Sequence, residues 1–190
     1  VTLDNYPNLQ RIRISKCYHL TKVHLSNMPN LQVVDLLDNG GLQRVTFTKC
    51  PSIITVDAGF NTGLVEINGI DDVEYLSVPY CQSLKLQPLK KLVFLDASRL
   101  ELNAVDFIKH CPNLECLVCT HNTTLKLSDV TKSTSLQILH LSGTKLNCDS
   151  VHNNSPLKII IFDNCQNYEY LIKGDKNLLN QFYVCDSINA

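Results

Sequence analysis

The sequence predicts a repeat solenoid, mainly β, with a curved parallel sheet along one face. Three observations predict it. An apolar residue returns every eleven positions at Leu9, Leu20, Leu31, Leu42 and Ile53, with Leu64 following. Each opens the same phrase, with apolar residues at +3 and +5 and a marker at +8. Leu9, Ile12, Ile14 and Cys17 show it, as do Leu31, Val34, Leu36 and Asn39. Read in pairs, the elevens make a repeat of 22, and self-similarity at such a period is the mark of stacked structural units.

The chain enters this pattern part-way through a repeat, because Val1, Leu3 and Tyr6 stand 22 positions before Val23, Leu25 and Met28. The primary phrase then starts at Leu9, Leu31, Ile53, Val73, Leu92, Leu114, Leu136, Leu157 and Leu179. The intervals are 22, 22, 20, 19, 22, 22, 21 and 22 residues. Nine strands at the usual spacing make a sheet about 40 Å long. The markers are Cys17, Asn39, Asn61, Cys81, Leu100, Asn122, Thr144, Cys165 and Ser187, and Leu100 alone lacks a hydrogen-bonding side chain.

The second half of each repeat changes along the chain. Leu20, Val23, Leu25 and Leu42, Val45, Phe47 and Leu64, Ile67 echo the strand phrase, so extended segments are expected on the convex side there. Leu102, Val105, Ile108 and Cys111 recur at threes, and Asn103 with Asp106 makes an N-cap arrangement, so residues 103–111 predict a helix or 3₁₀ segment. Residues 128–132 and 149–153 have room for one helical turn. The expected organisation is a single solenoid over residues 1–190, part of a longer protein whose end caps lie elsewhere.

The L-x-x-L-x-L-x-x-N/C phrase resembles the leucine-rich repeat. The runs Cys111-Pro112-Asn113-Leu114-Glu115 and Leu139-His140-Leu141-Ser142-Gly143 are similar to intracellular adaptor and sensor types. The resemblance implies a non-enzymatic protein-recognition module of sensor, adaptor or scaffold type, binding a partner on its concave face. Two alternatives stand beside it: an extracellular or cell-surface recognition domain, and a regulatory arm of an enzyme lying outside this segment.

Composition narrows the partner. Charged residues are 18% of the chain against roughly 25% in an average one, and the net charge is −1. Neither nucleic acid nor an anionic membrane is the expected partner, and no apolar run reaches the roughly 18 residues of a spanning helix. Nine cysteines without short regular spacing do not form a disulfide scaffold. Cys17, Cys50, Cys81 and Cys165 fall on marker positions, where a small side chain turns inward, so buried, reduced thiols and an intracellular location are expected.

Alternation along a strand sends the residues flanking the inward pair outward. One outward row is Arg11, Val33, Thr55, Tyr75, Phe94, Cys116, Ile138, Ile159, Gln181. The next is Arg13, Asp35, Asp57, Ser77, Asp96, Val118, His140, Ile161, Tyr183. The third runs Ser15, Leu37, Gly59, Pro79, Ser98, Thr120, Ser142, Asp163, Cys185. Tyr75, Phe94, Val118, Ile138, Ile159 and Ile161 form an apolar group there, as a partner surface does. Asp35, Asp57 and Asp96 favour a protein partner with a basic patch. The partner-binding set is completed by Val33 and His140.

Chemistry is not expected on this scaffold. Cys111-x₄-Cys116-x₂-Cys119 has the spacing of a plant-type iron–sulfur run. The repeat frame, however, turns Cys116 outward and Cys119 inward, and leaves Cys111 on the convex side. Cys116, His140 and Asp163 lie on an outward diagonal that imitates a hydrolase triad. Neighbouring members would stand about 8 Å apart, with no oxyanion-binding turn nearby. No metal, cofactor or catalytic residue is assigned. Asn122 and Asn153 begin glycosylation sequons; Asn122 is expected to be buried.

Overall fold

Every strand of the long sheet begins two or three residues after a phrase start, and each three-residue one centres on an inward β-branched or leucine residue. The computed structural model describes residues 1–100, 110–122, 133–144, 156–161 and 182–183. Four strands, β1 (Thr2–Asp4), β3 (Lys22–Ser26), β5 (Arg44–Thr48) and β7 (Glu66–Asn68), form a short sheet in that order. Nine others form a long sheet, also in chain order. They are β2 (Arg11–Arg13), β4 (Val33–Asp35), β6 (Thr55–Asp57), β8 (Tyr75–Ser77), β9 (Phe94–Asp96), β10 (Cys116–Val118), β11 (Ile138–His140), β12 (Ile159–Ile161) and β13 (Phe182–Tyr183).

Every pairing is parallel. The register follows the phrase and not the residue count. Ile12 pairs with Val34 and Val34 with Val56, 22 positions on. Val56 then pairs with Leu76 and Leu76 with Leu95, across the shorter intervals. The missing residues come out of the other side of the turn. Strand β7 has three residues where β3 and β5 have five, and it ends at Gly69 with φ +81°. A Cβ at Gly69 would collide with the Phe47 carbonyl, so only glycine closes this shortened bend. Residues 82–88 of the next turn contain no strand.

Between the sheets lies one core built from the three apolar positions of each phrase. Leu31, Val34 and Leu36 are fully buried, as are Leu92, Leu95 and Ala97, and Leu136, Leu139 and Leu141. A leucine buried this way contributes roughly 1.5–3 kcal/mol. In the first turn Leu9, Ile12 and Ile14, on and beside the edge strand β2, are only partly buried. Cys17, expected to be buried, is exposed on this edge turn. Cys50 and Cys81, which have a turn on either side, are buried as expected.

The markers link turn to turn. The Asn39 side chain donates to the carbonyls of Ile14 at 2.8 Å and Leu36 at 2.7 Å, and its oxygen accepts the Cys17 N–H. Asn61 repeats this one turn on, donating to Leu36 and Ala58 and accepting the Asn39 N–H. Cys81 fills the role more weakly, with its Sγ 3.0 Å from the Ala58 carbonyl. Leu100 cannot accept, and the Cys81 N–H turns instead to Val78 within its own turn. The ladder resumes with Asn122, which donates to the Ala97 carbonyl, and Thr144, whose Oγ1 accepts the Asn122 N–H. Asn122 is fully buried there, as expected.

The residue before each marker takes a left-handed conformation: Lys16, Asp38, Phe60, Tyr80, Arg99 and His121, with φ between 56° and 63°. Gly143 occupies the equivalent place at φ +70°, and a Cβ there would lie 2.7 Å from the His121 ring. The helical segments expected at 103–111, 128–132 and 149–153 lie outside the described residues but for 110 and 111. The side chains of Gln181, Tyr183, Asp163 and Cys185, and the markers Cys165 and Ser187, lie outside them too. Among the described residues no helix is long and apolar enough to cross a membrane.

Candidate functional site

The outward face of the long sheet is where the residues singled out in the sequence come together. On the long-sheet strands from β4 to β12, each middle residue is buried and each flanking one is half-buried or exposed, as the alternation requires. Strand pairing sets Tyr75, Phe94, Cys116, Ile138 and Ile159 side by side in one row. Asp96, Val118, His140 and Ile161 adjoin in the next row. Tyr75 is 45% exposed, and its ring stacks on Phe94 with centroids 6.5 Å apart. Val33, Val118, Ile138, Ile159 and Ile161 are half-buried. A row of β-branched and aromatic residues suits a strand surface, and here it leaves a continuous apolar band over five strands.

The aspartates have a structural task that their spacing did not reveal. Asp35, Asp57 and Asp96 each use Oδ1 to accept the N–H two residues on, from Leu37, Gly59 and Ser98, at 3.0–3.1 Å. Ser98 Oγ also donates to Asp96 at 2.7 Å. A carboxylate at the last strand position thus closes the bend that follows, as Asp does in Asx turns. Asp35 is further occupied by Arg13, at 3.1 Å between Nε and Oδ2. The other ion pairs among the described residues are Arg44–Glu66 and Lys91–Asp72, so Asp57 and Asp96 carry none there.

Beside this face runs a row the sequence reading missed, the left-handed corner. Phe60 stacks on Tyr80 with centroids 4.6 Å apart and 19° between the rings. Arg99 lies over the Tyr80 ring at 5.1 Å. Asn and Asp are the usual non-glycine signs of a left-handed residue. Phe60, Tyr80 and Arg99 carry no such sign, and only the constant offset before the marker could have pointed to them.

The reactive groups do not assemble. Cys116 is half-buried on the face, whereas Cys111 and Cys119 are buried beneath it. No group of three His, Cys, Asp or Glu side chains able to hold a metal occurs among the described residues. Burial raises the Cys116 thiol, and the Asp96 charge raises it further, the opposite of an activated nucleophile. Cys116 pairs in register with Ile138, not with His140, whose Nε2 is hydrogen-bonded to Ser142 Oγ at 2.8 Å along its own strand. Asp163 lies outside the described residues.

Comparison with known protein families, with curated proteins and with solved structures finds no match to this chain. The parallel solenoid and its outward face therefore carry the functional argument alone.

Proposed function

We propose that the chain is a leucine-rich-repeat solenoid that binds a protein partner on the outward, concave face of its long sheet, without catalysis. The observation that carries this reading is the continuous apolar band from Tyr75 to Ile159 with Val118 and Ile161 beside it, on strands whose inner side is fully packed. Apolar area rimmed by charge on a rigid sheet is costly to leave in water and cheap to dock, because little ordering is needed. Val33, Asp35, Asp57, Asp96 and His140 complete the surface, and the aspartates favour a basic partner. The thiols of Cys50 and Cys81, used as buried donors to carbonyls, fit a reducing, intracellular compartment.

The test is affinity capture with the wild type and with a Phe94→Asp, Ile138→Asp, Ile159→Asp variant. The substituted side chains point outward, so circular dichroism of the two proteins should agree. A partner retained by the wild type and lost by the variant is the expected result. Equal capture by both would move binding to another surface.

A further inference from the structure

The centre of the outward face has a shape and charge that select one side chain. Resting on the reading of this face as a protein-binding surface, we propose that it receives an extended partner segment whose arginine enters a notch over Ser77. Asp57 pairs with Ser77 and Ser77 with Asp96, so the small serine is flanked by two carboxylates on adjacent strands. Tyr75, two residues before Ser77, projects from the same face and closes one end with its exposed ring on Phe94.

Three features match arginine in particular. The two aspartates stand two strand spacings apart, ~9.6 Å between backbones. A guanidinium donating from opposite edges spans about 8 Å between acceptor oxygens, whereas an ammonium spans under ~6 Å. Each carboxylate is already held through Oδ1 by its own bend, so ordering it for a ligand costs little. The aromatic wall offers the planar cation a ring face, an arrangement the protein itself uses where Arg99 covers Tyr80. Neither Asp57 nor Asp96 has an ion-pair partner among the described residues.

The same geometry sets a spacing. Ile138 lies three strands beyond Ser77 and two residues back along the strand, ~16 Å away, which an extended chain crosses in about five residues. The partner segment therefore carries an apolar residue about five positions from its arginine.

The test uses the whole 190-residue chain, ¹⁵N-labelled. The probes are synthetic peptides with one arginine and one leucine separated by four glycine or serine residues. Controls replace the arginine by citrulline or lysine, or move the leucine next to it. The arginine peptide should shift the amides of Tyr75, Ser77, Phe94 and Ile138, and the citrulline peptide should bind about tenfold more weakly, as loss of a paired charge predicts. The lysine and moved-leucine peptides should also bind more weakly, the first because an ammonium cannot span both carboxylates and the second because its spacing is wrong. Asp57→Asn with Asp96→Asn should lower affinity about tenfold as well, while the amide oxygens still accept the Gly59 and Ser98 N–H groups and keep the bends. Equal binding of the citrulline peptide, undiminished binding by the double variant, or shifts confined to other surfaces would overturn the notch. A partner lost from the Phe94, Ile138, Ile159 variant but kept by the double Asn variant would remove the notch and leave the face intact.

Discussion

From β2 to β6 the long sheet is backed by a second sheet; from β9 onward the described residues behind it contain no strand. Both regions keep the same outward rows and the same inward apolar positions, filled by Val34 and Val56 in the first and by Leu95, Leu117 and Leu139 in the second. They differ in the half of the repeat that faces away. Two equal elevens make a strand on each side, and a repeat of 20 clips the second strand to three residues at β7. A repeat of 19 leaves none. The long sheet is indifferent to this, because its register is held by the phrase and its markers. Length variation in a solenoid is thus stored on one side, and the other side stays regular enough to serve as a surface.

The largest effects should come from the shared core. Leu117→Ala and Leu139→Ala should each cost ~2–5 kcal/mol, with amide protection lost on both neighbouring strands. If hydrogen exchange showed the loss confined to one turn, the two regions would have to be treated as independent stacks. Next is the joint between them. Gly69→Ala forces a side chain into a left-handed bend against the Phe47 carbonyl and should cost ~1–3 kcal/mol. Its exchange signature should fall on β5 and β7 and spare β10 and β11; a uniform loss would mean that the short sheet supports the whole stack.

A third comparison is between markers. Asn61→Ala leaves buried backbone groups unpaired and should cost about 1–3 kcal/mol in chemical denaturation, more than Cys81→Ala, whose lost bond is a thiol's. Equal losses would mean that the ladder is redundant with backbone pairing. The thiols also give a pH dependence. Burial pushes Cys81 up to about 12 and Cys111 up to about 11, from an ordinary 9.0. The unfolded chain releases these protons first, so their contribution is fully present below pH 9 and declines as pH rises through 9 toward 12. Denaturation midpoints should accordingly fall between pH 8 and pH 10, and the fall should shrink in Cys81→Ser. The smallest effect belongs to Arg13→Ala: the pair with Asp35 is largely solvated, and its loss should move stability by under about 1 kcal/mol.

Much of this was legible before any coordinates. The first two outward rows and the inward residue between them, at +2 to +4 from Leu31, Ile53, Val73 and Leu92, fall on β4, β6, β8 and β9, because a strand one face of which is buried cannot slip by one. The third row falls beyond the strands, where Gly59 and Ser98 are buried and not outward. The three echoing half-repeats likewise forecast β3, β5 and β7, and Leu100 forecast the gap in the ladder. Two things were not legible. The aspartates read as a charged line, but each spends an oxygen on its own backbone, which depends on bend geometry that spacing does not encode. The Phe60–Tyr80–Arg99 corner was invisible because neither aromatic residues nor arginine signal a left-handed backbone.

What the sequence by itself determined is the repeat frame: which residues lie in strands, which face inward, and which share a row. Periodicity determines these because burial on one side leaves only one register with an apolar core. What the tertiary structure decided is the state of each outward group. Cys17 on the edge turn is exposed while Cys50 and Cys81 are buried, Asp35 is taken by Arg13 while Asp57 and Asp96 are not, and the Cys116 thiol is raised by burial and by a neighbour on the adjoining strand. Those outcomes depend on contacts between residues about twenty positions apart, which exist only once the turns are stacked.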